Sequence, residues 1–345
     1  MKYKKIAILS GHSNSIIYKR RILPLEKEGE KYGIVLFKYS DDMNNVDITI
    51  IQGVPNSMKQ LRNVFRKSTY VVFDIPDYLG NILNPNFPLK VINTLKMIIR
   101  SIMWFRIHPH IVLKKLIKKV DLVITGSEGQ LSFLKSRYNK KGLNLVDPIN
   151  KIEFSGEKKE HKKSNQIKII WDGTTPSFMH FKTIINPLKE INKKHEFKLV
   201  IFTDEFVDDE AKLLYNELEE IIDVEHVYWD EAKFKYEMLD ADIAIAPIDN
   251  SNVFNYNKPY NKLLLYWAFG LPVVCSNIPS YKSVMNDDKG FCCENDDDWI
   301  IAITSLLEDC NLREEMGDKG YRFTWKNHTQ EIYANKYFKA LNELY

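Results

Sequence analysis

The feature that most constrains this chain is the alternation, in both halves, of short apolar runs with amphipathic segments. Apolar runs of strand length, bounded by polar turns and separated by helical patterns, are the sequence form of repeated βαβ units and largely parallel sheets. In the first half strands are expected at Lys5 to Leu9, Ile34 to Lys38, Ile48 to Gln52, Tyr70 to Asp74 and Leu122 to Thr125. In the second they are expected at Ile167 to Trp171, Lys198 to Phe202, Val224 to Val227, Ile243 to Pro247 and Pro272 to Cys275. Helices are expected at Phe178 to Lys193, Asp209 to Ile221, Lys233 to Leu239 and Asn261 to Phe269.

A chain of 345 residues, 44% apolar, is too long for one ordinary core and suits two domains. The division falls at 1–155 and 156–327, with the helices of about 328–345 crossing back onto the first domain. Asn150 to Gln166, which holds Gly156 and a dense Glu/Lys/His run, reads as the linker. Two Rossmann-like, doubly wound α/β domains result. Open parallel sheets bind ligands beyond the carboxyl ends of their strands, which places the site in a central cleft.

A net charge of +3 does not fit a dedicated nucleic-acid binder. Lys2, Lys4 and Lys5 precede an apolar run, Ile6 to Leu9, that is too short for a signal peptide and suits a first strand. No stretch of about 18 apolar residues offers a membrane span, so a cytoplasmic location is expected. Cys275, Cys292, Cys293 and Cys310 lack zinc-site spacing and read as reduced thiols.

The most informative stretch runs from Ala241 to Ser276, ADIAIAPIDNSNVFNYNKPYNKLLLYWAFGLPVVCS. Gly270 and Pro272 stop a helix whose start lies near Pro259 to Asn261. A helix start offers backbone N–H groups and a positive dipole end to an anion. Lys258 flanks that start and Lys262 lies in its first turn, where a positive charge opposes the dipole unless an anionic ligand is present. Tyr266 shares the face of Lys262. The residues alone reach an anion or nucleotide site; lysines covering a solvated helix end are the plain alternative.

NKPYNKLLLYWAFGLPVV resembles the donor-binding segment of bacterial GT-B glycosyltransferases related to family 4, where a lysine precedes a Tyr-containing helix ending in Gly-x-Pro-Val. ADIAIAPIDN is similar to the family's strand ending in Ala-Pro, and IIWDGTTPSF to its Trp-x-Gly-Ser/Thr turn. The likeness covers about half the chain. It implies a GT-B fold and a nucleotide-diphosphate sugar donor, UDP-sugar favoured. It also implies Lys262 as the main phosphate ligand, Lys258 as the second, Tyr266 as support, and Gly173 and Thr174 at the turn near the phosphates. Asn257 and Asn261 complete the donor-side set. The family's Glu-x7-Glu pair falls on Asn257 and Leu265, so both carboxylates are absent and the grip rests on lysines and backbone amides.

The nucleoside is expected against the loops after Phe202 and Val227, with Trp229 as a wall for the base and Thr203 and Asp204 beside it; Trp229 as an ordinary core residue is the alternative. On the acceptor side, strand one runs into SGHSNS, which turns Gly11, His12 and Ser13 toward the cleft without a dinucleotide fingerprint. VVFDIPDYL resembles a family Asp-x-x-Asp segment. Asp77 is the first choice for a general base and Asp74 the more structural of the two; both also fit capping roles. His12 is a further catalytic candidate. The leaving nucleoside diphosphate is stabilised by the lysines and the helix start, and no metal or other cofactor is expected, because no Asp-x-Asp motif lies in a suitable loop.

Between Tyr78 and Val120 there are eight Lys/Arg and no Asp or Glu. Val91, Ile92, Leu95, Ile98, Ile99 and Ile102 recur at helical spacing, with Trp104 and Phe105 following. This basic amphipathic segment, 78–120, fits either an anionic membrane surface on the inner face of the plasma membrane or a solvated domain helix. The expected function is transfer of a sugar to a glycan or lipid-linked acceptor in bacterial surface polysaccharide or glycoconjugate synthesis, with no nucleic-acid partner. A nucleotide-sugar 2-epimerase of the same fold and a catalytically silent nucleotide-sugar-binding protein are the competing readings.

Overall fold

The computed structural model describes residues 5–10, 16–55, 57–77, 79, 109–150, 156–164, 166–286 and 288–344. Gly11, His12, Ser13, the 91–102 stretch, Trp104 and Phe105 lie outside the described residues. The chain forms two compact units, one of 1–148, 257–259 and 330–345, the other of 149–256 and 260–329.

The first unit is built on a six-stranded sheet of β1 (Lys5–Ser10), β2 (Val35–Lys38), β3 (Val46–Gln52), β4 (Ser68–Ile75), β5 (Leu122–Thr125) and β6 (Gly142–Asn144), in the order β2-β1-β3-β4-β5-β6. Every pairing is parallel. Successive side chains alternate between faces, and both faces are covered, so the strands read as nearly continuous apolar runs. Ile6, Ile8, Ile48, Ile50, Val72 and Ile124 pack on one face; Ala7, Val71, Phe73 and Val123 pack on the other.

The C-terminal helix Gln330–Asn342 closes the first of these faces with Tyr333, Ala334, Tyr337, Phe338 and Leu341. The basic segment ends in the helix Pro109–Lys119, whose Val112, Leu113, Leu116 and Ile117 are buried in the opposite face while Lys115, Lys118 and Lys119 are exposed. That part of the segment is a solvated domain helix, with its apolar stripe spent on the core.

The second unit holds β7 (Ile167–Asp172), β8 (Phe197–Thr203), β9 (Asp223–Tyr228), β10 (Ile243–Ala246), β11 (Val273–Ser276) and β12 (Gly290–Cys293), in the order β12-β11-β10-β7-β8-β9. All pairings are again parallel. This is the Rossmann order, and its direction reverses between β7 and β10, the place where doubly wound sheets open a crevice for ligands.

The helical stretch expected at Phe178 to Lys193 is broken into Thr175–Phe178, a 3-10 turn Met179–Thr183 and Ile185–Asn192. Pro187 is responsible: it lacks an N–H, and its ring would strike the carbonyl four residues earlier in an unbroken helix. The supposed linker is docked onto the second unit. Lys159 pairs with Asp242 at 3.1 Å and donates its backbone N–H to Phe269 O, while buried His161 meets the Gly270 carbonyl at 2.9 Å. Gly270 has φ of +76°, the left-handed cap its position predicts. All four cysteines are free thiols. Among the described residues no helix is long and apolar enough to cross a membrane.

Candidate functional site

The reversal point of the second sheet is organised by the helix Asn261–Ala268, which enters from the loop after β10 and leads to β11. Leu263, Leu264, Trp267 and Ala268 bury its apolar face. Tyr266, also fully buried, spans the reversal point: its hydroxyl accepts the backbone N–H of Asp172 at 3.1 Å and donates to the Ile245 carbonyl at 3.4 Å. Burial, followed by the nearby Asp172 charge, lifts the phenol far above its ordinary pKa, so it stays a donor.

One turn earlier on this helix, the ammonium of Lys262 reaches the carboxyl end of β7. It donates to the Asp172 carbonyl oxygen, lies 3.5 Å from Asp172 Oδ1, and sits 4.7 Å from the centre of the Trp171 ring. Lys262 is 24% exposed, so a ligand can reach it. Trp171 is fixed from below by a tilted contact with Phe178 and an edge contact with Phe181. The helix start itself has no side-chain cap at Tyr260.

Gly173 follows Asp172. A Cβ there would lie 2.5 Å from the Trp171 ring and 3.3 Å from Lys262 Nζ, so only glycine lets the turn pass beneath the lysine. Its N–H binds Phe202 O and its carbonyl accepts the Thr203 hydroxyl at 2.7 Å. Thr174 is exposed, and its carbonyl accepts the first N–H groups of the next helix. Thus Lys262, Tyr266, Gly173 and Thr174, far apart in sequence, form one constellation. Asn261 opens the helix beside them.

Thr203 was expected at the nucleoside. It is fully buried with its hydroxyl committed to Gly173, so it shapes the turn and presents nothing to a ligand. Asp204 is exposed just beyond β8. Trp229 is 52% exposed and its backbone N–H donates to Thr203 O at 3.0 Å, which rules out the core role and leaves an aromatic face available. Two residues were missed by sequence reasoning. Asp172 ends a buried strand with a charge, a signal that could have been read. Buried His180 accepts the Asp249 N–H through Nδ1 at 3.2 Å, tying the segment after β7 to the loop after β10; a lone histidine gives no such sign.

Asn257 and Lys258, grouped with Lys262 from the sequence, fall in the first unit, whereas Lys262 falls in the second. A Cβ on Gly129 would collide with Asn257 Oδ1, which shows how closely that segment packs there. Lys258 acts on Asp77 electrostatically. Although Asp77 lies at the surface, its carboxyl is crowded: loss of solvent and the Asp147 charge raise its pKa, while Arg21 and Lys258 pull it back.

Asp74 has no access to a substrate. It is completely buried and takes Arg21 Nε at 2.7 Å, while Arg21 Nη1 also binds Asp147 at 2.9 Å and the Leu145 carbonyl at 2.8 Å. The Arg21 guanidinium lies 5.7 Å from the Tyr333 ring, which joins the ion pair to the C-terminal helix. Asp74 is therefore a structural carboxylate, the role favoured for it over catalysis, and its candidacy for proton transfer falls with its burial. Among the described residues no group of three or more His, Cys, Asp or Glu is arranged to hold a metal.

Residues 167–309 match the family model described as glycosyl transferases group 1. No curated protein matches the chain significantly in sequence. Among solved structures, Anabaena HepE in complex with UDP superposes with a TM-score of 0.65 at 12% identity, covering 98% of this chain and 100% of that one. Sucrose-phosphate synthase of Thermosynechococcus elongatus gives 0.62 at 11%, covering 99% of each. A putative UDP-N-acetylglucosamine 2-epimerase of Listeria monocytogenes gives 0.54 at 11%, covering 99% of this chain and 96% of that one.

Proposed function

We propose that this chain, whose residues 167–309 match the group 1 glycosyl transferases and whose fold is GT-B, is a glycosyltransferase that moves a sugar from a UDP-sugar to a glycan or lipid-linked acceptor. The observation that carries the reading is the meeting of Lys262 with the Asp172–Gly173 turn at the point where the second sheet reverses. A cation, an uncapped helix start and a glycine turn at one crevice suit a diphosphate. UDP is favoured because HepE, of the same fold, was solved with it.

In this reading Lys262 and the backbone of the helix start stabilise the charge that builds on the departing nucleoside diphosphate. Trp229 stacks on the base and Asp204 lies beside it. Gly173 and Thr174 line the phosphates. Asp77 takes the proton of the acceptor hydroxyl, with Lys258 beside it to favour the carboxylate. Bacterial surface polysaccharide or glycoconjugate assembly in the cytoplasm is the setting, and the exposed lysines of the basic segment, Lys115, Lys118 and Lys119, would favour an anionic surface carrying lipid-linked acceptors. Equal binding to neutral and anionic vesicles would remove that last element.

The test is a thermal-shift panel of nucleoside diphosphates and their sugars, followed by transfer assays with the stabilising donor. Stabilisation by UDP and its sugars above the others supports the reading; no stabilisation by any of them contradicts it. The epimerase neighbour motivates one control. Rapid isomerisation of donor without acceptor would replace transfer as the activity.

A further inference from the structure

The ammonium of Lys262 already has a partner within the chain. Besides the backbone carbonyl of Asp172 it faces that residue's Oδ1 at 3.5 Å. Asp172 Oδ1 is buried without a hydrogen-bond donor of its own and faces the Lys262 ammonium, while the buried Tyr266 hydroxyl also interacts with the same carboxylate. The geometry is held on every side. Tyr266 fixes the Asp172 amide, Thr203 fixes the Gly173 carbonyl, and Trp171 supports the lysine from below.

We propose that Asp172 is the resident counter-ion of Lys262, a positioning residue that aims the ammonium into the crevice and competes with the nucleoside diphosphate for it. The inference rests on the donor-site reading above. A diphosphate and a carboxylate sharing one ammonium repel each other, and the lysine is sheltered enough for that repulsion to survive screening. The consequence falls on the leaving group. After sugar transfer the free nucleoside diphosphate carries more charge than the donor did, so Asp172 disfavours product more than substrate and hastens release.

The test uses UDP titrated calorimetrically into the full chain, with Asp172→Asn, Asp172→Glu, Lys262→Met and the Asn/Met double variant, each checked for an unchanged far-UV spectrum and melting transition. Asp172→Asn keeps the shape and removes the charge; it should tighten UDP about tenfold at low salt, an advantage that fades as salt rises. Asp172→Glu should stay near the parent, and the gain should vanish when Lys262 is methionine. Stronger UDP inhibition of Asp172→Asn in turnover is the kinetic counterpart. If the parent binds UDP but Asp172→Asn binds equally or more weakly, the competition is overturned while the donor site stands. A gain that persists with Lys262→Met overturns the sharing of the ammonium. If the parent binds neither UDP nor ADP, GDP or dTDP, the donor-site reading falls and this inference with it.

Discussion

The hydroxyl of Tyr266 lies 3.1 Å from the backbone nitrogen of Asp172, and through that contact the helix carrying Lys262 is registered against β7. A second contact to Ile245 O extends the link to β10, so one side chain joins the two strands between which the sheet changes direction. Position of the lysine is therefore a property of the sheet, transmitted through a buried phenol.

Tyr266→Phe removes both contacts and leaves two main-chain groups short of a partner in a dry environment. Chemical denaturation should show a loss of about 1–3 kcal/mol, the cost of unsatisfied buried polar groups. A variant as stable as the parent would mean that the hydroxyl contributes nothing to the link.

Gly173→Ala drives a methyl group into the Trp171 ring and toward Lys262 Nζ. The ring is packed and cannot retreat, so overpacking should destabilise the chain by about 1–3 kcal/mol. UDP affinity should fall in the same variant, because the lysine is displaced. Normal affinity at reduced stability would separate the turn from the site.

Asp74 and Asp77, three residues apart, should behave oppositely. Asp74→Ala strands Arg21 in the core with one fewer counter-charge, a loss of about 3–5 kcal/mol read by denaturation. Asp77→Asn should leave stability nearly intact and reduce kcat about 100- to 10,000-fold, the range of general-base catalysis.

The pH profile tests Asp77 separately. Its pKa is raised, so it remains protonated, and useless as a base, at pH values where an ordinary aspartate has ionised. The acidic limb of kcat/KM should lie above the usual aspartate range and be absent from the residual rate of Asp77→Asn. An unshifted limb in that variant assigns it to another group.

Much of the fold was legible because parallel strands buried on both faces leave unmistakable apolar runs; Leu122–Thr125 was located to the residue. The sheet edges were not. β6 (Gly142–Asn144) has three residues and β12 (Gly290–Cys293) begins with glycine, so neither carries a run long enough to stand out. The helix Asn261–Ala268 and the Gly173 turn were visible through local start and stop signals. Their meeting was not, since it depends on strand order. Thr203 and Asp74 show the complementary error: a polar residue at a strand's carboxyl end points to a ligand in sequence, yet both are consumed by internal bonds. The split between Lys258 and Lys262, four residues apart, likewise follows from packing that no local pattern encodes.

The central claim is that Lys262 grips the diphosphate of the donor. Calorimetric titration of UDP into the parent and Lys262→Ala tests it directly. The account predicts a loss of about 1–3 kcal/mol in binding free energy, the scale of one charge-assisted hydrogen bond. Equal affinity in the two proteins would contradict it.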